Sequence, residues 1–284
     1  MNVKIYKTIQ LSILTLLTIN TAWANLMISP HRVVFEDRDR SASVSLMNTQ
    51  GKTTTYRLHW VQQKQTSNGK YSDLPSDSNE VPNASSMLRF SPRQVTLAPG
   101  EKQTVRISLR RKKGLTEPEY RSHLLFEALP KQDETTKPGG GSRIKLNLLL
   151  GFSIPVIVRQ GKLNAQASIS NVTLMKTQEK NKGKNYYGAR ITLQRTGLHS
   201  AYGTIKVMWR NRSKNQFEQI GILNNVALYP ESNQVTVHVG FKDFKENSGD
   251  ISISYSGKKE QQGINFDTFK RTITPKDFKL ELIE

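Results

Sequence analysis

RIKLNLLLGFSIPVIVR, running from Arg143 to Arg159, decides how the rest of the chain is read. From Ile144 onward every second residue is apolar: Leu146, Leu148, Leu150, Phe152, Ile154, Val156 and Val158. The alternate face reads Lys145, Asn147, Leu149, Gly151, Ser153, Pro155 and Ile157. Alternation at period two marks a strand with one apolar face. Ordinary strands have about five or six residues, and this one would run more than twice that length. Pro155 has no N–H to give to a ladder, which points to a sheet edge. An apolar edge strand invites pairing with another chain. The stretch is therefore read as the last strand of a domain that offers part of its apolar row to another protein.

The residues before it carry strand signals of the same kind. SASVSLMN places Ala42, Val44 and Leu46 on one face, and TTYRLHWVQQ places Tyr56, Leu58 and Trp60 together. LMISPHRVVFE reads as extended, MLRFSPRQVTLAPGEKQTVRISLRR as two or three short strands, and YRSHLLFEALP as another. Pro99 and Gly100 sit where a tight turn wants them. KQTSNGKYSDLPSDSNEVPNASS reads as a polar loop and KQDETTKPGGGS as a connector. About seven short strands separated by turns, with no amphipathic helix, predict an antiparallel sandwich of immunoglobulin type.

RQGKL at 159–163 reads as a hinge, after which the pattern restarts with ASISNVTLM, YYGARITLQRT, AYGTIKVMWR, VALYPESNQVTVHV and DISISYS. The expected architecture is all-β: two immunoglobulin-like β-sandwich domains, residues 25–158 and 159–284. Residues 1–24 form a basic stretch, a short apolar run and a small-x-small site ending at Ala24. That pattern predicts a cleaved signal peptide and export.

Composition narrows the function classes. The chain has no cysteine, so its domains must be held by packed cores rather than disulfides. Its formal net charge is +19, but the basic residues are spread along strands rather than gathered in a helical stripe. Nucleic acid is not the expected partner, and no further segment is long and apolar enough to be membrane-embedded. Hydrolase elbows, zinc-protease pairs and phosphate loops are all missing. His31, His59, His123, His199 and His238 are scattered, several within strands. No catalytic, metal or cofactor site is expected, and the chain does not read as an enzyme.

Several ordered segments together resemble the PapD-like periplasmic pilus chaperones. HRVVFEDRDRSASVSLMN is similar to their opening strands, FSPRQVTLAPGEKQTVRI to their proline-glycine turn, YRSHLLFEALP to the strand ending in proline, and IKLNLLLGFSIPVIVR to their edge strand before the hinge. The resemblance implies donor-strand complementation. Pilus or fimbrial subunits lack their last strand, the chaperone lends its own, and the cargo passes to an outer-membrane usher. The donor positions would be Ile144, Leu146, Leu148 and Leu150. The family anchors a subunit's terminal carboxylate with two cations. Arg32 matches the first, whereas the edge-strand lysine is replaced by Pro155. In this, FSIPVIV resembles the divergent branch of the family, the archaic and related chaperone–usher systems, and the resemblance implies a substitute cation, Arg121 first and otherwise Lys145 or Arg143. An exposed apolar edge would also favour self-association of free molecules. The competing expectation is a structural or adhesive envelope protein that uses the same strand to polymerise.

Overall fold

A computed structural model describes residues 26–130, 150–179, 185–212, 216–245 and 247–283. The predicted signal peptide and Ile144, Leu146 and Leu148 lie outside the described residues. Up to Arg159 the chain forms β1 (Leu26–Ser29), β2 (Val33–Phe35), β3 (Ser41–Asn48), β4 (Thr54–Gln65) and β5 (Tyr71–Leu74). There follow β6 (Leu88–Ser91), β7 (Gln94–Leu97), β8 (Lys102–Leu109), β9 (Glu119–Ala128) and β10 (Gly151–Arg159). The only helical pieces among the described residues are single 3₁₀ turns.

Two sheets face each other. One has the order β1-β3-β8-β6; the other has the order β2-β10-β9-β4-β5, with β7 also paired to β4. Period-two patterning sets the inner faces. Val44, Leu46, Val105 and Ile107 from the first sheet meet Tyr56, Leu58, Leu124, Phe126, Ile154 and Val156 from the second. Each such aliphatic or aromatic side chain contributes roughly 1.5–3 kcal/mol by leaving water. LMISPHRVVFE, expected as one extended segment, is divided between the sheets. β1 runs antiparallel to β3, whereas β2 runs parallel to β10. Crossing over between them puts one short segment at the border of both sheets, β1 beside β3 and β2 beside the end of β10 only.

The second sandwich comprises β11 (Ala167–Glu179), β12 (Asn185–Arg195), β13 (Ala201–Asn211), β14 (Glu218–Leu228), β15 (Gln234–Gly240), β16 (Gly249–Gly257), β17 (Asn265–Ile273) and β18 (Phe278–Ile283). Its sheets are ordered β15-β12-β11-β18 and β14-β13-β16-β17. Ile191, Leu193 and Val235 pack against Ile205, Val207, Ile251, Ile253 and Tyr255. VALYPESNQVTVHV, which reads as a single strand, is the end of β14, a turn and β15, with Ser232 N–H donating to Tyr229 C=O at 3.0 Å. The turn carries Glu231, and its position matters below.

Between the sandwiches, Gly161 adopts φ +74° in the predicted hinge, a conformation that costs glycine little. Its N–H donates to Asp37 Oδ1 at 3.1 Å. The segment expected as a polar loop after β4 is instead a hairpin, β4 pairing with β5 from Gln62 to Gln65. Its tip lies on the second sandwich, where Thr236 N–H donates to Ser67 C=O at 2.7 Å. Gln65 is held there by four bonds. Its N–H donates to Glu231 Oε1 at 3.0 Å and its side-chain amide donates to Ala227 C=O at 2.8 Å. Its Oε1 accepts from Tyr229 N–H at 3.2 Å, and its C=O accepts from Ser232 Oγ at 2.9 Å. Polar sequence is appropriate here, because Ser67, Asn68 and Lys70 at the tip stay exposed and the arm docks through hydrogen bonds to backbone.

Candidate functional site

β10 has two unlike halves. From Val156 to Val158 it lies between β9 and β2, with Val156 opposite Val33. From Gly151 to Pro155 it pairs with β9 alone, and among the described residues nothing lies along its other side. Pro155 is the last residue before β2 begins, so the ladder donor it lacks falls where the edge opens. The apolar row changes with the same boundary. Ile154, Val156 and Val158 are in the core of their own domain, Phe152 is partly covered, and Leu150 is 39% exposed. The sandwich thus covers the C-terminal part of the row and releases it at Leu150. β2 also defines a line: a strand laid on the free edge parallel to β10 would run end-on toward Val33 and its neighbour Arg32.

Arg32 and Arg121 both lie between the two sandwiches, buried and already paired. Arg32 donates to Ser200 Oγ at 3.0 Å and to the Tyr229 hydroxyl at 3.4 Å, with Glu260 Oε1 also 3.4 Å away. Its guanidinium lies 4.6 Å from the Tyr202 ring centroid. Arg121 forms a two-pronged pair with Glu231, at 3.1 Å to Oε2 and 2.5 Å to Oε1. A further donation reaches Gln63 C=O at 3.0 Å, and the Tyr229 ring centroid is 3.7 Å away. Burial alone would lower both arginine pKa values. Neighbouring acidic and phenolic groups, Tyr229 foremost at Arg32 and Glu231 at Arg121, outweigh it and hold both above the ordinary value.

A third arginine completes the interdomain cluster. Arg159, at the end of β10, donates to Glu119 Oε2 at 3.1 Å and approaches Glu260 Oε1 at 3.4 Å. Glu119 Oε2 also accepts from Ser200 N–H at 3.1 Å and Ser200 Oγ at 2.9 Å. Burial pushes the Glu119 carboxyl up, but Arg159 and Arg32 override it and leave it below the usual carboxylate range. Around these charges Ile157, Tyr202, Ala227 and Tyr229 form a small apolar cluster with Val34 packed on it. Sequence reasoning found Arg32 and Arg121 but missed Arg159, Glu119, Glu231 and Glu260. A glutamate in a polar stretch gives no signal of being buried by a second domain.

Among the histidines, His199 is satisfied: Nδ1 accepts from Asn164 N–H and Nε2 lies 3.0 Å from Gln160 C=O. His123 is buried on β9 opposite Pro155, edge-on to Tyr71 with ring centroids 5.1 Å apart. Burial, with Arg121 adding repulsion, lowers its pKa to about 3. Between its ordinary value and about 3, the unfolded chain binds a proton here that the folded chain does not. Stability therefore falls as pH drops through that window. From pH 7 to pH 5 the loss from this residue is roughly 2 kcal/mol. His123→Leu is expected to remove that part of the slope, read as the change in urea midpoint between the two pH values. Among the described residues no three histidine, aspartate or glutamate side chains are grouped to hold a metal ion.

Comparison with known proteins identifies the class. Residues 25–164 match the family described as "Pili and flagellar-assembly chaperone, PapD N-terminal domain". Through this first domain the chain belongs to the PapD-like pilus-assembly chaperones. No curated protein matches the chain. Solved structures that align with it include the CupB2 chaperone of Pseudomonas aeruginosa, at 13% identity over 87% of this chain and 100% of that one, TM-score 0.44. The SafB chaperone of Salmonella enterica, in complex with SafA pilin, aligns at 14% identity over 87% of this chain and 96% of that one, TM-score 0.42. The CsuC–CsuE pre-assembly complex from archaic Csu pili of Acinetobacter baumannii aligns at 14% identity over 92% of this chain and 100% of that one, TM-score 0.41.

Proposed function

We infer that this protein is a periplasmic chaperone that binds pilus or fimbrial subunits by lending them the strand 144–155 and passes them to an outer-membrane usher. The observation that carries this reading is the free edge of β10, where an apolar row leaves its own core at Leu150. Membership of the pilus-assembly chaperones supports it independently. A subunit lacking its last strand would pair its open edge with residues 144–155 and receive Ile144, Leu146, Leu148 and Leu150 in its groove, a case of strand addition.

Four buried aliphatic side chains contribute roughly 6–12 kcal/mol before ordering costs. That holds a subunit, yet a better-fitting strand from the next subunit can displace it. Assembly energy then comes from the subunit's own completion, with no nucleotide. Residues 1–24 would direct export. Among the described residues no helix is long and apolar enough to cross a membrane.

The test is co-expression of the tagged full chain with small secreted proteins encoded beside it. A soluble one-to-one complex with a smaller partner is the expected result. Incorporation of the chain itself into a stable polymer would favour the adhesive envelope protein instead.

A further inference from the structure

Glu231 rests in a complete carboxylate-binding seat. Both of its oxygens are held by Arg121, at 3.1 Å and 2.5 Å, and Oε1 takes a third donor from Gln65 N–H at 3.0 Å. Arg121 is fixed in turn by Gln63 C=O and by the Tyr229 ring. A planar guanidinium with two parallel donors is matched to a carboxylate rather than to a neutral acceptor. The two sides of the seat differ in burial: the Arg121 side chain is 2% exposed and the Glu231 side chain 11%. The host is the deeper of the two, and the occupant lies nearer the surface on a turn between two strands.

The seat lies close to the donor edge. Arg121 is opposite Ile157 on β10, two residues past Pro155, where the free edge ends. A chain paired along 150–155 and running parallel to β10 would end at Val33 and Arg32, across β10 from Arg121, in the interdomain space where both arginines meet the Tyr229 ring, 5.7 Å from Arg32 and 3.7 Å from Arg121.

We propose that Glu231 is an internal stand-in for a subunit's C-terminal carboxylate, occupying the Arg121 seat in the free chaperone and leaving it when a subunit binds. The proposal rests on strand donation as the mode of binding. Replacing one carboxylate by another conserves the charge-assisted bonds of Arg121, so the buried guanidinium is not left unpaired during capture or release. Glu231, once displaced, moves to solvent at the rim. The free protein thereby keeps a buried cation neutralised without an anion from solution, and binding at the edge is coupled to the position of the second sandwich, which carries Glu231.

The probe is a labelled peptide of alternating valine and threonine in two forms, one with a free C-terminal carboxylate and one amidated. Binding to the full chain is followed by fluorescence anisotropy. The wild type is expected to bind the two forms within about twofold, because Glu231 competes. Glu231→Gln is expected to bind the free acid at least tenfold more tightly than the amide, and adding Arg121→Ala should return that ratio to near one. Glu231→Asp, which keeps the charge on a shorter arm, should give an intermediate ratio and serves if the glutamine variant folds poorly. An unchanged ratio in both Glu231 variants, with the amide still bound, would overturn the stand-in while leaving strand donation in place. Failure of both peptides on every protein would instead overturn strand donation, and the stand-in with it.

Discussion

Leu150→Asp is expected to abolish recovery of subunit complexes while leaving the chaperone folded. Leu150 is 39% exposed in the free chain, so a polar replacement there should change stability by no more than about 0.5 kcal/mol. In a complex the same side chain would enter an apolar groove. The variant would lose roughly 2–3 kcal/mol of burial and would confront the groove with a carboxylate, adding several kcal/mol more. A total near 4 kcal/mol or above is about a thousandfold in affinity. Leu148→Asp should behave in the same way, and the two together should leave nothing to purify. The measurement is subunit yield in pulldown beside the thermal midpoint of the free variant. Loss of yield together with a large fall in midpoint would mean that Leu150 supports its own domain.

Glu119→Ala should produce the largest loss of stability. Glu119 accepts from Arg159 and from both the N–H and the hydroxyl of Ser200, joining the end of β10 to the start of β13. Removing the carboxylate leaves Arg159 and Arg32 buried with, among the described residues, only Glu260 close to both. Breaking a buried pair by removing one partner costs about 3–5 kcal/mol. In a chain of this size that corresponds to a fall in melting temperature on the order of 10 °C. Glu119→Gln keeps an acceptor for Ser200 and should lose less. Because the Glu119 carboxyl is held below its ordinary value, its contribution is present above that value and disappears as pH falls through the folded one. The alanine variant should therefore differ most from wild type near neutrality and converge with it in acid, when followed by urea denaturation.

Much of the fold could be read from alternation. The rows in SASVSLMN and TTYRLHWVQQ, and Ile154, Val156 and Val158 of the edge strand, face inward where expected, since period two is a local property that a strand imposes on its own residues. Pro155 marked the open edge for an equally local reason, the missing N–H. What depended on the meeting of two domains was not legible. Arg121 in EYRSH reads as a candidate carboxylate anchor, but nothing local shows that the turn bearing Glu231 is laid over it. The hairpin that follows β4 has the composition of a loop, because its partner is the backbone of the second sandwich and not a hydrophobic core. β17 and β18 escaped notice because NFDTFKRTI carries as many charges as apolar groups and FKLELI is a short stretch interrupted by Lys279 and Glu281, suiting strands at the outer borders of their sheets.

The most direct test of strand donation is amide hydrogen exchange along residues 144–155, in the free chaperone and in a purified one-to-one complex with a subunit. New ladder bonds on the open side of β10 should slow exchange of alternate amides in this stretch at least tenfold, with 156–158, already paired to β2, little changed. Equal exchange of 144–155 in the two states, in a complex that remains intact, would contradict the lending of this strand.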